Sequence, residues 1–318
     1  MSSRQAVAAV LAALALGLTV AALGQVGMAP RARAIQEETR PPRTNLRADL
    51  NLVLVPVSVC DPLNRAVTGL EKEHFRVFDD NVEQTVTAFA QDDAPVAVGL
   101  VFDTSGSMGT KLKLSRQAAA AFFRTANPED QFFLVEFSDR PKLVAPTTGN
   151  AQEIEDRLTF SQSKGRTALL DAVILAMQEL KKSSIVRKAL LIISDGGDNA
   201  SRYTEAELRN MVRETDVLIY AIGIYGGAAT PEEVAGPGLL TEISEQSGGR
   251  QLPAQAADIP DIAAKIGVEL RNRYVLGYSP SATRRDGRYH PVQVKIVPPH
   301  GLPALRAFWR RGYYAPAE

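Results

Sequence analysis

A chain of 318 residues, 45% hydrophobic and 23% charged, has the composition of a globular protein, and its length suits two modest domains or one large domain with an accessory. Lys plus Arg and Asp plus Glu both number 36, so the chain lacks the basic excess by which nucleic-acid binders hold a polyanion. One cysteine excludes an intrachain disulfide, and three scattered histidines, His74, His290 and His300, show no metal-ligand spacing and argue against a histidine-based acid–base enzyme.

In chain order, Arg4 precedes an uncharged apolar run, Ala6 to Gly24, which has the form of an export signal. Ala22-Leu23-Gly24 and Ala32-Arg33-Ala34 both offer the small-x-small pattern of a cleavage site. The run is also just long enough to span a bilayer, so residues 1–34 read as a signal peptide or an uncleaved N-terminal anchor. Either way the remainder is expected outside the cytoplasm, as a secreted, periplasmic or envelope-anchored protein that meets the membrane only through that anchor. Residues 35–47, rich in Pro, Arg, Glu and Thr without periodicity, read as a linker.

Residues 48–91 read as a small β segment. Leu52, Leu54 and Val57-Ser-Val59 lead to a turn at Asp61-Pro62-Leu63-Asn64, with Cys60 as a small buried hydrophobe. Phe75-Arg-Val-Phe78 and Val82 to Phe89 flank Asp79-Asp80-Asn81, a hairpin signal. Residues 93–272 then alternate strands and helices. Val96 to Phe102 is a continuous apolar run, as a strand buried on both faces requires. A helix is expected over Lys111–Ala126, a strand over Gln131–Phe137, a helix over Ala168–Leu180 and a strand over Lys188–Ser194. Thr204-Glu-Ala-Glu207 is a capping box opening the next helix. A strand over Val217–Gly223, a helix over Leu239–Gln246, a short strand from Arg250 and a helix over Ile259–Arg271 follow. This order predicts an α/β fold with a doubly wound, mostly parallel sheet. Residues 273–318 return to strands at Tyr274–Tyr278, Val292–Val297 and Leu305–Tyr314, and are expected to pair with 48–91 into one accessory β module.

The chemistry concentrates at the strand ends. Asp103-Thr-Ser-Gly-Ser107 follows a buried strand and precedes a helix, which is where ligands bind in an open α/β sheet. Asp103, Ser105 and Ser107 put one carboxylate and two hydroxyls into a tight loop, and Gly106 allows the bend. Gly165-Arg166-Thr167 opens a helix and offers a third hydroxyl. Ser194-Asp195-Gly196-Gly197-Asp198-Asn199 follows another buried strand and offers Asp195. All are hard oxygen donors, suited to Mg²⁺ first, with Mn²⁺ and Ca²⁺ as the other hard cations they accept. Taken alone, Asp103 and Thr167 suit helix caps. Asp198 and Asn199 read as turn residues, Arg166 as a solvated arginine and Trp309 as a packing residue.

Taken in order, Asp103-Thr-Ser-Gly-Ser107, Thr167 and Asp195-Gly196 resemble the metal-ion-dependent adhesion site of von Willebrand factor type A domains, with all five positions matched. The resemblance covers about residues 93–272 and implies a Rossmann-like fold. It also implies that Ser105, Ser107 and Thr167 touch the ion while Asp103 and Asp195 act largely through water. A second, looser resemblance, carried by Val67-Thr-Gly-Leu70, Asp79-Asp80-Asn81, Arg273 to Tyr278 and Arg311 to Tyr314, is to the exported acidobacterial group of type A-related proteins.

Enzymatic readings fit poorly. A haloacid-dehalogenase-type phosphatase needs a second Asp where Ser105 stands. Ser107 lacks the glycine two residues before it that a nucleophile elbow requires. The expected function is therefore an exported, non-enzymatic binding module that holds a divalent cation and binds a protein partner offering an Asp or Glu carboxylate. The alternative is a structural envelope or secreted assembly component whose metal site is incidental, with a metal-dependent hydrolase third.

Overall fold

The structure, a computed structural model, describes residues 52–225, 231–254, 258–280, 285–299, 301 and 303–317. The expected signal or anchor over 1–34, the linker over 35–47 and the first residues of the N-terminal β segment lie outside the described residues. Among the described residues, fourteen strands and six α-helices follow in order: β1 (Val53–Cys60), β2 (Phe75–Asp79), β3 (Val82–Gln84), β4 (Ala88–Asp92), β5 (Val96–Asp103), α1 (Leu112–Phe123), β6 (Gln131–Phe137), β7 (Pro141–Thr148), α2 (Ala151–Thr159), α3 (Leu169–Lys182), β8 (Arg187–Ser194), α4 (Glu205–Glu214), β9 (Val217–Ile224), α5 (Pro231–Ser247), β10 (Gln251–Ala254), α6 (Ile259–Arg271), β11 (Arg273–Tyr278), β12 (Tyr289–Ile296), β13 (Arg306–Trp309) and β14 (Gly312–Tyr314).

The central sheet has the order β10-β9-β8-β5-β6-β7, parallel except for β7. Every residue of β5 is buried, which is why its sequence is apolar without alternation. Val96, Val98, Leu100 and Phe102 pack on one face with α1, α2 and α6, while Ala97 and Val101 pack on the other with α3, α4 and α5. Gly99 interrupts the run because its neighbour claims the space: a Cβ there would lie 2.3 Å from Phe133 Cζ. The chain leaves β5 toward β6 on one side and reaches β8 on the other. The C-terminal end of β5, where Asp103 stands, is thus the topological switch point of the sheet.

The segments on either side of this α/β unit share two further sheets, β13-β1-β11-β4 and β14-β12-β2-β3. β1 runs antiparallel to β11, with Val55 opposite Leu276, and β2 antiparallel to β12, with Val77 opposite Val294. Val55, Val57, Val59, Tyr274, Leu276 and Tyr278 of the first sheet share a core with Phe75, Val77, Val292 and Val294 of the second. That is the construction of a β-sandwich. The hairpin turn forms at Asp80 and Asn81, both at positive φ (48° and 65°), a two-residue turn that matches strand twist.

Two expected strands are each divided. Val82–Phe89 splits into β3 and β4, and Leu305–Tyr314 into β13 and β14, in every case with one half in each sheet. A period-2 pattern survives such a change of sheet, so it does not reveal the break. β7 and α2 have no counterpart in the sequence reading. β7 is an edge strand with one buried residue, Ala145, and begins on Pro141, while α2 buries only Ile154 and Leu158. α5 begins eight residues before the expected Leu239 and carries Pro237 inside it, a residue type that ordinarily interrupts a helix.

A buried ion pair within the α/β unit reaches the sandwich segments through Asn64 and Cys60. Arg250 and Glu269, with side chains 5% and 1% exposed, pair through both Nε and Nη2 of the guanidinium. Tyr220 donates its hydroxyl to the other carboxylate oxygen at 3.1 Å, and Arg250 also donates to Asn64 in the β1–β2 connection at 2.7 Å. The Cys60 thiol points at the same carboxylate, and burial pushes its pKa well above the usual thiol range, so it is inert packing. Glu269→Gln is expected to lower unfolding free energy by about 3–5 kcal/mol in urea denaturation, because it strands a buried guanidinium. A loss below about 1 kcal/mol would show that the pair does not tie the two parts.

Candidate metal centre

Asp103 is fully buried, yet its carboxylate is committed at both oxygens. The Ser105 N–H donates to Oδ1 at 2.8 Å, and the Ser194 hydroxyl donates to Oδ2 at 2.6 Å. These bonds bend the chain back at the strand end. Ser105 remains extended (φ −64°, ψ 166°), and a single 3₁₀ turn, Gly106–Met108, follows. Met108 is fully buried and anchors the loop from beneath. The Ser105 and Ser107 hydroxyls are left 3.0 Å apart, with Ser105 buried and Ser107 exposed.

The second loop is laced onto the first through main chain. Gly106 N–H donates to Gly165 O at 3.0 Å, and Lys164 N–H donates to Thr104 O at 2.8 Å. Thr104 in turn ties back to Phe137 O at the end of β6 through both its N–H and its hydroxyl. Gly165 sits at φ +79°, and a Cβ there would lie 2.5 Å from the Asp139 carboxylate, which accepts the Arg166 N–H. The positive φ favours glycine at that position.

Thr167 is 6% exposed and is held by the third loop. Its N–H donates to the Asn199 side chain at 3.0 Å, and its carbonyl accepts the N–H groups of Asn199 and Ala200. The start of α3 is capped across the gap, with Asp198 Oδ1 accepting the Leu169 N–H at 2.8 Å and the Ser201 hydroxyl at 2.6 Å. Thr167 is therefore not the cap of its own helix. Asp198 and Asn199, read from sequence as turn residues, are cross-links between two loops. The signal that could have identified them is their type: Asp and Asn are good acceptors for helix-start N–H groups, but here the helix they serve begins some 30 residues earlier in the chain. Arg166 is exposed, as expected, and its guanidinium reaches Asn199 O.

Asp195, 1% exposed, stands at the C-terminal end of β8. Its Oδ2 accepts from Lys111 Nζ at 2.9 Å, while its Oδ1 has no hydrogen-bond partner among the described residues. Burial, and then the charge of Asp195, push the Asp103 pKa up to about 6 against the opposing hydrogen bonds from Ser105 and Ser194. Two buried carboxylates therefore share a small space with one ammonium in contact. The structure brings Asp103, Ser105 and Ser107 into one hydrogen-bonded loop, places Asp195 within electrostatic reach of Asp103, and joins Thr167 to them through Gly165 and Asn199. Lys111 and Ser194 had no place in the sequence-derived site.

The residues fit a hard divalent cation. The donors are hydroxyl and carboxylate oxygens, the local charge is negative, one buried carboxylate oxygen is orphaned, and Ser107 leaves the site open to solvent. Asp198→Ala removes the cap of α3 and is expected to cost about 1 kcal/mol of stability in thermal or urea unfolding. No measurable loss would mean that the loop-to-helix cross-link is dispensable.

Residues 98–197 match the model of the von Willebrand factor type A domain. Over 133 residues the chain is 30% identical to bovine (Bos taurus) inter-alpha-trypsin inhibitor heavy chain H4, covering 38% of this chain and 14% of that protein. It is 25% identical over 178 residues to an uncharacterized protein of Borreliella burgdorferi, covering 47% and 51%. The chain thus spans about half the length of one of these relatives and a much smaller share of the other. Among solved structures, a von Willebrand factor type A protein from Catenulispora acidiphila aligns with a TM-score of 0.49 at 13% identity, over 76% of this chain and 73% of that one. Residues 98–197, which lie within the α/β unit, are thus similar to the von Willebrand factor type A domain.

Proposed function

We propose that this domain is a metal-dependent protein-binding module that works outside the cytoplasm and engages an acidic partner. The observation that carries the reading is the buried, under-neutralised pair Asp103 and Asp195, with the orphaned Asp195 Oδ1, set beside the Ser105 and Ser107 hydroxyls. Isolated charge of this kind is costly in a protein interior unless a cation offsets it.

Ser105, Ser107 and Thr167 would hold the ion, with Asp103 and Asp195 completing its surroundings largely through water. Mg²⁺ suits these donors best, with Mn²⁺ and Ca²⁺ as alternatives. Neutral hydroxyls donate no charge, so a bound divalent ion would keep an electrophilic face for a partner's Asp or Glu carboxylate. Lys164 and Arg166, both exposed on the loop that flanks the site, add positive charge that favours the same ligand. The apolar N-terminal run supports an exported setting for the module. Of the histidines, His74 and His290 belong to the β-sandwich segments, away from the metal loops, so neither is placed as a base for hydrolysis.

Calorimetric titration with MgCl₂ and MnCl₂ is expected to give one site in the wild type and none in Asp103→Ala, with unfolding behaviour showing that the variant keeps its fold. Unchanged metal affinity in Asp103→Ala would sink the assignment. Partner capture from extracts of the source cell is expected to be lost on adding a chelator and to weaken as salt rises. Chelator-insensitive capture would instead favour a structural assembly role for the sandwich.

A further inference from the structure

We infer that Lys111 is a tethered counter-cation that competes with the divalent ion for the Asp195 carboxylate and so sets the metal affinity of the site. The inference rests on the metal-binding reading above and concerns the regulation of that same site.

Three observations carry it. First, Lys111 Nζ lies 2.9 Å from Asp195 Oδ2, with the lysine side chain only 12% exposed. A lysine ordinarily keeps its ammonium in water, so this one has been drawn in by the carboxylate charge. Second, Lys111 occupies the N-cap position of α1 without acting as a cap. Its own N–H donates to Met108 O, and its carbonyl accepts from the Ser115 N–H and hydroxyl. The backbone at Lys111 is thereby fixed at the end of the Ser105–Ser107 loop, and the flexible four-carbon stem delivers the charge. Third, Asp195 uses one oxygen for the ammonium and leaves the other without a hydrogen-bond partner among the described residues. The ammonium thus offsets the carboxylate incompletely, and a divalent ion in the hydroxyl cluster would offset it better.

Cations sharing one buried carboxylate repel each other, and the repulsion is strong where water is scarce. Ion binding and the Lys111–Asp195 contact should therefore oppose each other. A lysine can yield where a fixed guanidinium fork would not, because its ammonium is a point charge on a mobile stem that solvent readily takes back. The contact would keep the two carboxylates partly neutralised and the loops in place before an ion arrives. Its release would leave an ammonium at the rim of the loaded site, where a carboxylate ligand arrives.

The test is calorimetric titration of the full chain with MnCl₂, comparing wild type, Lys111→Met, Lys111→Gln and Asp103→Ala, alongside amine-reactive labelling of the wild type with peptide mapping. Lys111→Met and Lys111→Gln are expected to tighten Mn²⁺ binding about tenfold or more, equivalent to about 1.4 kcal/mol, at unchanged stoichiometry. Labelling of Lys111 is expected to speed up severalfold at saturating Mn²⁺ relative to exposed Lys113. Wild-type affinity retained or weakened in both lysine variants, with binding still abolished by Asp103→Ala, would overturn the competition and leave the metal site standing. Binding in no variant and not in the wild type would overturn both. If the lysine variants fail to fold, labelling of the wild type decides alone: a Lys111 rate that Mn²⁺ leaves unchanged overturns the inference.

Discussion

Two carboxylates kept out of water at the end of a buried parallel sheet are the constraint around which the centre is organised. Asp103 ends β5 and Asp195 directly follows the neighbouring strand β8, and they reach the same edge because the strands are parallel and in register. Burial denies them hydration, and the charge of Asp195 adds to the cost of charge on Asp103. The surrounding structure answers with oriented dipoles and one cation: the Ser105 N–H, the Ser194 hydroxyl and the Lys111 ammonium. Those donors account for much of the local conformation. The bend after Asp103 follows from its bond to Ser105, and the course of the chain after β8 follows from Ser194, whose hydroxyl also accepts the Gly196 N–H.

The loops that carry the remaining donors are held by their main chains, which leaves the hydroxyls available. Gly106 is bonded to Gly165, Lys164 to Thr104, and Thr167 to Asn199 and Ala200. A side chain tied up in capping could not also serve as a ligand, and the assignment of the α3 cap to Asp198 keeps Thr167 free of that duty. Preorganisation of this kind lowers the cost of gathering donors around an ion.

The sandwich contributes at a distance. It is built from segments on both sides of the α/β unit, so the two ends of that unit are brought together by the β4–β11 pairing, with Arg273 opposite Asp92. Glu269 lies on α6, which packs against α1, and α1 begins at the end of the metal loop. The frame around the centre is thus continuous from the sandwich core to the loop that bears Ser105 and Ser107.

Much of this was legible in the residues. Strands buried on both faces announced themselves as unbroken apolar runs, because no residue of β5 meets water. Thr204 and Glu207 announced the start of α4 by the capping box that the structure contains. The metal loops could be named because residue type and order along the chain encode them. Features resting on weak burial escaped notice, as β7 and α2 did, and so did the points where a strand changes sheets. Lys111 figured only as the first residue of an expected helix, and Asp198 and Asn199 as turn residues. Their roles depend on partners roughly 30 to 84 residues away in the chain. The sequence by itself determined which segments are buried, which loops carry hard oxygen donors and in what order. Only the tertiary structure decided which charges face each other and which groups hold the donors still, because those contacts form when distant strands close into one sheet.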